Sequence, residues 1–251
     1  MQFKEKTAIA TGAASGMGLL FAQCFVEQGG CAVLTDINAQ ALQEAVNQVN
    51  RIRPDSAIGV VCDVRDYAQV CAVRDAAVET FGSIDVLVNF AGGAETRMMK
   101  AGGMEFPDVP IEVYDWGLDV NLRGQLYFDH AVMKQMRSQK SGVIIHMGSI
   151  IGEEGSPVNM AYSASKSGAM YGLTKSIALY GGQYNVRCCS VAPGPVLTRP
   201  DMATMKTLLG RAAQPQEIVD MILYLVSEKA AFITGENILL DGGRNVMRNK
   251  G

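Results

Sequence analysis

Short, uninterrupted apolar runs alternate with longer segments of helical periodicity along the whole chain. A strand that is buried on both faces of a parallel sheet gives such a continuous run, whereas a half-exposed strand alternates apolar and polar residues. Regular alternation of strand and helix predicts an α/β fold, a doubly wound parallel sheet of about seven strands with helices on both faces. The predicted strands are Thr7–Thr11, Ala32–Asp36, Ala57–Cys62, Val86–Phe90, Gly142–Met147, Val186–Ala192 and Ile238–Asp241.

Helical segments lie between these strands, and two of them end in a glycine pair, which is a common helix stop signal. No linker or repeat divides the chain, so residues 1–251 are expected to form a single domain. Two irregular segments, 94–109 and 194–209, follow strand ends, where ligands bind in open α/β sheets, and are expected to be substrate loops. The predicted helices are Met17–Gln28, Asn38–Asn50, Tyr67–Phe81, Ile111–Arg137, Tyr162–Tyr180 and Gln216–Val226.

Composition excludes several classes of protein. Hydrophobic residues make up 48% of the chain and charged residues 19%, which excludes disordered and fibrous proteins. A net charge of −3 gives no basic excess for binding nucleic acid. Six cysteines without a CxxC pair and only two histidines favour reduced, structural thiols and no metal site. The uncharged segment 7–26 is interrupted by glycine and polar residues, so we expect a cytoplasmic chain without a signal peptide or membrane span.

The first predicted strand runs into TGAASGMG, which places Gly12, Gly16 and Gly18 at a turn and a helix start. Such glycines let a pyrophosphate approach the backbone, while the N–H groups of the helix face the anion. The spacing is G-xxx-G-x-G and not the general G-x-G-xx-G, and an ordinary strand–helix turn is the alternative interpretation. Together with the predicted sheet, this turn favours a Rossmann-type dinucleotide site.

Asp36 ends the second predicted strand, 24 residues after Gly12. An acidic residue at this place suits the ribose hydroxyls of NAD and repels the additional phosphate of NADP. Ser15 and Ile37 are uncharged, so neither can pair with that phosphate. The alternative role for Asp36 is to cap the helix that begins near Asn38. The glycine turn makes NAD the favoured cofactor.

Tyr162 and Lys166 are four residues apart in YSASK and therefore share one face of a helix. A neighbouring ammonium favours the phenolate and is expected to lower the pKa of the tyrosine. Such a tyrosine exchanges a proton with an alcohol or a ketone, and Ser149, at the end of the fifth strand, offers a hydroxyl to the substrate oxygen. A surface Tyr–Lys contact and an ordinary strand-end serine are the alternative interpretations.

The chain resembles the short-chain dehydrogenase/reductase family over nearly its whole length. TGAASGMG is similar to the cofactor turn of that family, Asp63-Val64 to its adenine-contacting pair, and NFAG, from Asn89 to Gly92, to its strand-four motif. DVNLRG, PGPVLT and ITGENILLDGG are similar to three further family motifs. Ser149, Tyr162 and Lys166 match the catalytic serine, tyrosine and lysine. Phe90 departs from the family pattern, which has a second asparagine there.

The resemblance implies an NAD-dependent oxidoreductase that interconverts a secondary alcohol and a ketone by hydride transfer. Tyr162 would be the acid/base, Lys166 would hold the nicotinamide ribose and lower the pKa of Tyr162, Ser149 would orient the substrate oxygen, and Asn121 would position a water linking Lys166 to solvent. The segment from Pro193 to Thr198 would contact the nicotinamide. The implied cofactor-binding residues are Gly12, Ser15, Gly16, Met17, Gly18, Asp36, Ile37, Asp63, Val64, Asn89, Ala91, Gly92, Tyr162, Lys166, Pro193, Gly194, Val196 and Thr198.

The substrate is not determined by the sequence. Charged loop residues favour a sugar, sugar acid or polyol if they point inward, whereas loop methionines suit a steroid or acyl chain. The alternatives to the expected activity are an NADP-linked 3-oxoacyl-thioester, steroid or carbonyl reductase and, remotely, a non-catalytic dinucleotide-binding sensor.

Helices near Trp116–Met136 and Tyr162–Tyr180 are apolar on more than one face, which favours burial against a partner. In the family these helices form a tetramer interface, so we expect a homotetramer. The remaining expected partner is the small-molecule alcohol or ketone, without nucleic acid or membrane. The charged loop residues that would favour a sugar, sugar acid or polyol by pointing inward are Glu95, Arg97, Glu153, Glu154, Arg199 and Asp201.

Overall fold

The structure is a computed structural model that describes residues 1–248. Within this range seven strands form one parallel sheet in the order β3-β2-β1-β4-β5-β6-β7, which confirms the predicted fold class. No predicted strand boundary differs from the observed one by more than one residue. The strands are β1 Thr7–Thr11, β2 Cys31–Asp36, β3 Ala57–Val61, β4 Val86–Asn89, β5 Gly142–Met147, β6 Val186–Pro193 and β7 Asn237–Leu240.

Two apolar layers cover the sheet. Helices α1, α2 and α10 contribute Phe21, Leu42 and Ile218 to the core on one face. Helices α3 and α6 contribute Val73 and Phe128 to the core on the other. The α-helices are α1 Gly16–Glu27, α2 Ala39–Ile52, α3 Tyr67–Phe81, α4 Glu95–Met98, α5 Ile111–Leu118, α6 Gly124–Gln139, α7 Ile151–Glu154, α8 Met160–Ser167, α9 Thr174–Gly181 and α10 Pro215–Val226.

The two longest predicted helices are each interrupted by a π-helical turn, at Asp119–Arg123 and Gly168–Leu173. In each turn a side chain donates a hydrogen bond to a backbone carbonyl of the helix, which explains the local change. The amide of Asn121 donates to the carbonyl of Gly117 at 2.9 Å, and the hydroxyl of Thr174 donates to the carbonyl of Ala169 at 2.7 Å. Such insertions widen the helical ladder locally. The prediction of continuous helices over Ile111–Arg137 and Tyr162–Tyr180 was therefore wrong at these turns.

The two segments predicted as irregular contain short helices. The first includes α4 and a 3-10 turn at Phe106–Asp108, and the second includes a 3-10 turn at Pro200–Thr204. Further 3-10 turns lie at Gly182–Tyr184, Glu228–Ala230 and Arg244–Val246. No helix within residues 1–248 is long and apolar enough to cross a membrane.

The strand order reverses beside β1, because β2 follows on one side of it and β4 lies on the other. In an open parallel sheet a crevice forms at the carboxyl ends of the strands where the order reverses. Thr11 at the end of β1 is in register with Asn89 at the end of β4. The glycine turn and the strand-four motif therefore border the same crevice.

Candidate active site

The glycine turn after β1 depends on close backbone approaches. Gly12 has φ +61°, and a Cβ atom there would lie 2.9 Å from Cα of Ala91. A Cβ atom on Gly18 would lie 2.8 Å from the carbonyl oxygen of Gly12. Among the described residues, the Ser15 side chain caps no N–H group of α1, whose first residue is Gly16. The N-terminus of α1 therefore offers free donors to an anion.

A cavity of about 310 Å³ opens beside this turn, at the carboxyl ends of β1, β2 and β4. Its lining fits a dinucleotide, because the glycine backbone, a strand-end carboxylate and apolar side chains surround one crevice. Phe90, which departs from the family pattern, lines the cavity and packs against Phe21 with ring centroids 5.7 Å apart. The predicted cofactor residues that line it are Gly12, Ser15, Asp36, Ile37, Asp63, Val64, Ala91 and Gly92.

Asp36 connects the end of β2 with the glycine turn. One of its oxygens accepts from the N–H of Ala14 at 3.2 Å, and the other accepts from the N–H of Asn38 at 3.0 Å. The N-cap of α2 is Asn38, whose side chain accepts from the N–H of Ala41. The capping alternative for Asp36 is therefore only partly right, since it supports the backbone before the cap while facing the crevice.

Arg65 also lines the cavity, and no sequence pattern marked it as a site residue. Its guanidinium is bound to the carboxylate of Asp63, with a shortest distance of 2.6 Å. The hydrogen bond from Arg65 lowers the pKa of Asp63. Among the described residues of this lining, the one cation is thus paired with a carboxylate of the same chain.

Several predicted cofactor residues lie outside this lining. Asn89 is buried, and its amide donates to Asp129 at 3.4 Å, within a buried network that includes His146. Val196 is also buried, and Gly194 donates to the carbonyl of Leu240 at 2.9 Å. Core packing and backbone hydrogen bonds therefore give a second explanation for these residues, beside the cofactor contacts that the family resemblance implies. The members of the predicted set outside the lining are Gly16, Met17, Gly18, Asn89, Tyr162, Lys166, Pro193, Gly194, Val196 and Thr198.

Ser149, Tyr162 and Lys166 meet at the end of β5. The hydroxyl of Tyr162 is hydrogen-bonded to Ser149, and Oγ of Ser149 accepts from the N–H of Ile151 at 3.2 Å. The ammonium of Lys166 lies 5.4 Å from the centroid of the Tyr162 ring. It is buried and donates to the carbonyl of Met147 at 2.6 Å. The structure thus brings the three predicted catalytic side chains together.

The electrostatics differ from the sequence expectation. Burial raises the pKa of Tyr162 above its usual value, and the hydrogen bond to Ser149 and the charges of Arg97 and Arg199 oppose that rise. Burial lowers the pKa of Lys166 to about 8. The Lys166 ammonium is desolvated and bound to the Met147 carbonyl. The net shift of the Tyr162 pKa is therefore opposite to the expected lowering, and the contribution expected of Lys166 remains a prediction.

Asn121 lies in the first π-helical turn and is fully buried. Its side-chain oxygen accepts from the N–H of Gly93 at 2.9 Å, and its amide donates to the carbonyls of Gly93 and Gly117 at 3.0 and 2.9 Å. The amide thus fixes the start of the first substrate loop beside Lys166: a Cβ atom on Gly92 would lie 3.5 Å from Nζ of Lys166. The expected role in positioning a water remains a prediction.

The carboxylates near the substrate loops have partners of their own. Glu95 is fully buried and accepts from the N–H groups of Ala161 and Tyr162 at 2.9 and 3.1 Å. Glu153 accepts from the hydroxyl of Tyr171, and Glu154 forms an ion pair with Arg244 at 3.2 Å. Sequence reasoning placed these carboxylates in the substrate pocket, but for Glu95 the structure shows a different use.

The two loop arginines are less engaged. Within residues 1–248 Arg97 forms no ion pair or hydrogen bond, and its Nη2 would lie 3.4 Å from a Cβ atom on Gly93. Nε of Arg199 lies 3.6 Å from the carboxylate of the exposed Asp201 and has no hydrogen-bond partner among the described residues. Both arginines lower the pKa of Tyr162. Two guanidinium groups from different loops therefore act on the same phenol.

Comparisons with known proteins agree with this geometry. The model of a family described as enoyl-(acyl carrier protein) reductase matches residues 12–245. The chain is 38% identical to trans-4-hydroxycyclohexanecarboxylate dehydrogenase of Sinomonas cyclohexanicum, over 98% of this chain and 95% of the relative. It is 34% identical to 3alpha-hydroxysteroid dehydrogenase of Mediterraneibacter gnavus, over 96% and 98%.

The crystal structure of NAD+-bound xylitol dehydrogenase has a TM-score of 0.87 with this chain at 27% identity, covering 97% of this chain and 100% of that one. The residues matched by the family model, 12–245, include the glycine turn and the Ser149–Tyr162–Lys166 group. The chain therefore belongs to the short-chain dehydrogenase/reductase family and is an oxidoreductase that acts on CH–OH groups.

Proposed function

We propose that the chain is an NAD-dependent dehydrogenase that interconverts a secondary alcohol and a ketone. The convergence of Ser149, Tyr162 and Lys166 beside the crevice at the glycine turn carries this proposal. The substrate loops, 94–109 and 194–209, lie at the same edge of the sheet. One domain holds both the cofactor and the reacting groups.

NAD fits the crevice residues better than NADP does. Asp36 places a carboxylate at the end of β2, and Arg65 is bound to Asp63. The additional ribose phosphate of NADP would be repelled by the Asp36 carboxylate and would find Arg65 already paired with Asp63. The NAD+-bound xylitol dehydrogenase relative supports the same cofactor. When bound, the nicotinamide supplies or accepts the hydride.

The chain's own residues handle the proton. With its pKa raised by burial, Tyr162 carries its proton at neutral pH and donates it to a ketone oxygen during reduction. Alcohol oxidation requires the phenolate, so its rate is expected to rise with pH. Ser149 holds the substrate oxygen next to the phenol, while the Lys166 ammonium lies beneath the ring.

Substitution of Tyr162 by Phe tests this assignment. Because the variant lacks the proton-transferring oxygen, we expect turnover to fall by at least about a hundredfold, with NADH affinity nearly unchanged in a fluorescence titration. Tyr224→Phe is the matched control, because its hydroxyl contacts only the remote Lys229 carbonyl among the described residues. Retained turnover in Tyr162→Phe would refute the assignment, and tighter binding of NADPH than NADH would favour the NADP-linked alternative.

For the substrate we infer a hydroxy compound with an anionic group at its non-reacting end. Glu95, Glu153 and Glu154 are bound by a helix N-terminus, a tyrosine and an arginine. The charges of Arg97 and Arg199, by contrast, act on the Tyr162 phenol, and the only ion pair that either arginine forms among the described residues is that of Arg199 with the exposed Asp201. A guanidinium pair suits a carboxylate. The relative that acts on a hydroxycyclohexanecarboxylate has such a substrate by name. A sugar acid meets the same requirement, whereas neutral polyols and steroids do not.

A matched pair of alcohols tests this inference. We expect kcat/KM for 4-hydroxycyclohexanecarboxylate to exceed that for its uncharged primary amide by at least about tenfold. Arg97→Met and Arg199→Met should each reduce this preference, and the exposed, remote Arg51→Met should not. Equal rates on acid and amide, or higher rates on xylitol or a steroid, would contradict an anionic substrate.

We also propose a cytoplasmic homo-oligomer, most simply the tetramer common in this family. The six cysteines are free, as is typical of a reducing compartment. Helices α6 and α9 expose Leu126 and Leu179, at 45% and 83% of their surface. Apolar side chains on these two adjacent helices support burial against a second copy.

A further inference from the structure

Glu95 joins the first substrate loop to the helix that carries Tyr162. Its carboxylate is fully buried and accepts two hydrogen bonds, from the N–H of Ala161 at 2.9 Å and from the N–H of Tyr162 at 3.1 Å. An ionised side chain without such partners would be strongly disfavoured in this environment. The two bonds are thus the reason that a charge can be buried here.

The helix end that Glu95 contacts has no local cap. Among the described residues, the side chain of the N-cap residue of α8, Asn159, caps none of the first N–H groups of the helix. It instead accepts from the hydroxyl of Thr96 at 2.6 Å, the neighbour of Glu95. The first N–H groups of a helix lack intrahelical partners and carry partial positive charge. Glu95 therefore replaces the missing cap from a distant part of the chain.

Helix α5 holds the arrangement tightly in place. A Cβ atom on Gly117 would lie 2.8 Å from Cβ of Ala161 and 3.1 Å from Cβ of Glu95. The carbonyl of Gly117 also accepts from the amide of Asn121, which binds Gly93 at the start of the same loop. Helices α5 and α8 thus pack closely against the Glu95 side chain, and Asn121 holds the adjacent loop residue Gly93.

We propose that Glu95 is a positioning residue, whose carboxylate holds the backbone of Tyr162 and so fixes the phenol against Ser149. The proposal rests on the proposed role of Tyr162 in proton transfer. A placement error of about 1 Å at a reacting group lowers a rate by about a hundredfold. A hydrogen bond to the backbone N–H of the reacting residue controls that placement directly.

Glu95 also acts through its charge. It raises the pKa of Tyr162, whereas the Ser149 hydroxyl and the Arg97 and Arg199 guanidinium groups lower it. Lys166 lies below the ring on the same helix. Removing the Glu95 charge while these groups stay in place should therefore shift the pH dependence of alcohol oxidation toward lower pH.

Glu95→Gln tests both effects. We expect kcat for alcohol oxidation to fall by about tenfold to a hundredfold, with KM and the NADH dissociation constant within about twofold of the unchanged chain. The pH profile of kcat should move to lower pH. Glu95→Asp keeps the charge on a shorter side chain, so kcat should fall without a shift in the profile. Glu105→Gln, which removes an exposed carboxylate from the same loop, should change neither.

Two results would overturn the proposal. One is a Glu95→Gln variant with unchanged kcat and pH profile. The other is an equal loss of kcat, cofactor affinity and thermal stability with an unshifted profile, which would show a merely structural role. If Glu95→Gln does not fold, a folded Glu95→Asp variant with unchanged kcat is decisive against it. Retained turnover in Tyr162→Phe would instead overturn the proposed function, so the two failures are distinguishable.

Discussion

Lys166 is a cation in a place that does not favour cations. Its side chain is almost fully buried, and its ammonium donates a hydrogen bond to the Met147 carbonyl at 2.6 Å. Desolvation lowers its pKa from 10.5 to about 8. A shift of this size corresponds to about 3 kcal/mol of unfavourable free energy for the charged form. A residue retained at such a cost is typical of a functional site.

Replacing Lys166 by Met should therefore stabilise the cofactor-free protein while removing turnover. Below pH 8 Lys166 of the unchanged chain is charged in both the folded and the unfolded state, so the full free-energy cost of burying its charge lowers the stability. Between pH 8 and 10.5 the unfolded state binds more protons, so the stability of the unchanged chain rises with pH relative to the variant. At pH 7 we expect the variant to gain about 1–2 kcal/mol, since the lost Met147 hydrogen bond offsets part of the relief. Denaturant unfolding of both proteins at several pH values measures the difference, and a variant less stable at pH 7 would contradict this account.

Residue patterns predicted which side chains meet, but not what each one contacts. The spacing in YSASK placed Tyr162 and Lys166 on one helical face, and the structure brings them together. The burial of Tyr162 depends on long-range packing that no local pattern contains, so the direction of the Tyr162 pKa shift was missed. Glu95 was similarly indistinguishable from a solvated loop carboxylate, because its partners lie at Ala161 and Tyr162.

At the scale of elements, the catalytic region depends on close approach of α5 to α8. Gly117 is a point of close contact, and an added Cβ atom there would lie 2.8 Å from Cβ of Ala161. The π-helical turn that follows α5 carries Asn121. The position of α8, and with it Tyr162, therefore depends on a small residue in the neighbouring helix.

Gly117→Ala and Gly172→Ala form a matched pair that tests this dependence. Gly117→Ala should lower the free energy of unfolding by about 1–3 kcal/mol, because the added methyl group overpacks the contact, and should lower kcat as α8 shifts. A Cβ atom on the exposed Gly172 would meet no atom within 4 Å, so Gly172→Ala should be neutral or gain up to about 1 kcal/mol. Equal stability and kcat in the two variants would show that the α5–α8 contact tolerates expansion.

Strands were easier to predict than helices in this chain, for a physical reason. A buried parallel strand gives a continuous apolar run that ends where the sheet ends, and no predicted boundary missed by more than one residue. The π-helical turns leave the apolar periodicity nearly intact, because the cause is a single hydrogen bond from Asn121 or Thr174. Such a bond is specified by tertiary structure and not by the spacing of apolar residues.

For the whole molecule, the exposed apolar residues of α6 and α9 give a prediction about assembly. We expect the chain to sediment as a tetramer at micromolar concentration. Leu179→Glu should lower the sedimentation coefficient, because it places a charge where 83% of a leucine is exposed. Ile52→Glu, at the end of α2 on the other side of the sheet, should not. A monomer in sedimentation velocity would remove the inference.

The hydrogen bonds of Glu95 have a consequence for exchanging loops between related dehydrogenases. The inner end of the first substrate loop is attached to α8 through Glu95 and Thr96, whereas Met98, Met99 and Met104 beyond it are exposed. A graft that starts at Gly93 would replace Glu95 and so remove the cap of α8 while it introduces the new specificity. A graft that starts at Met99 and keeps loop residues 94–98 native should change substrate preference without disturbing the position of the Tyr162 phenol.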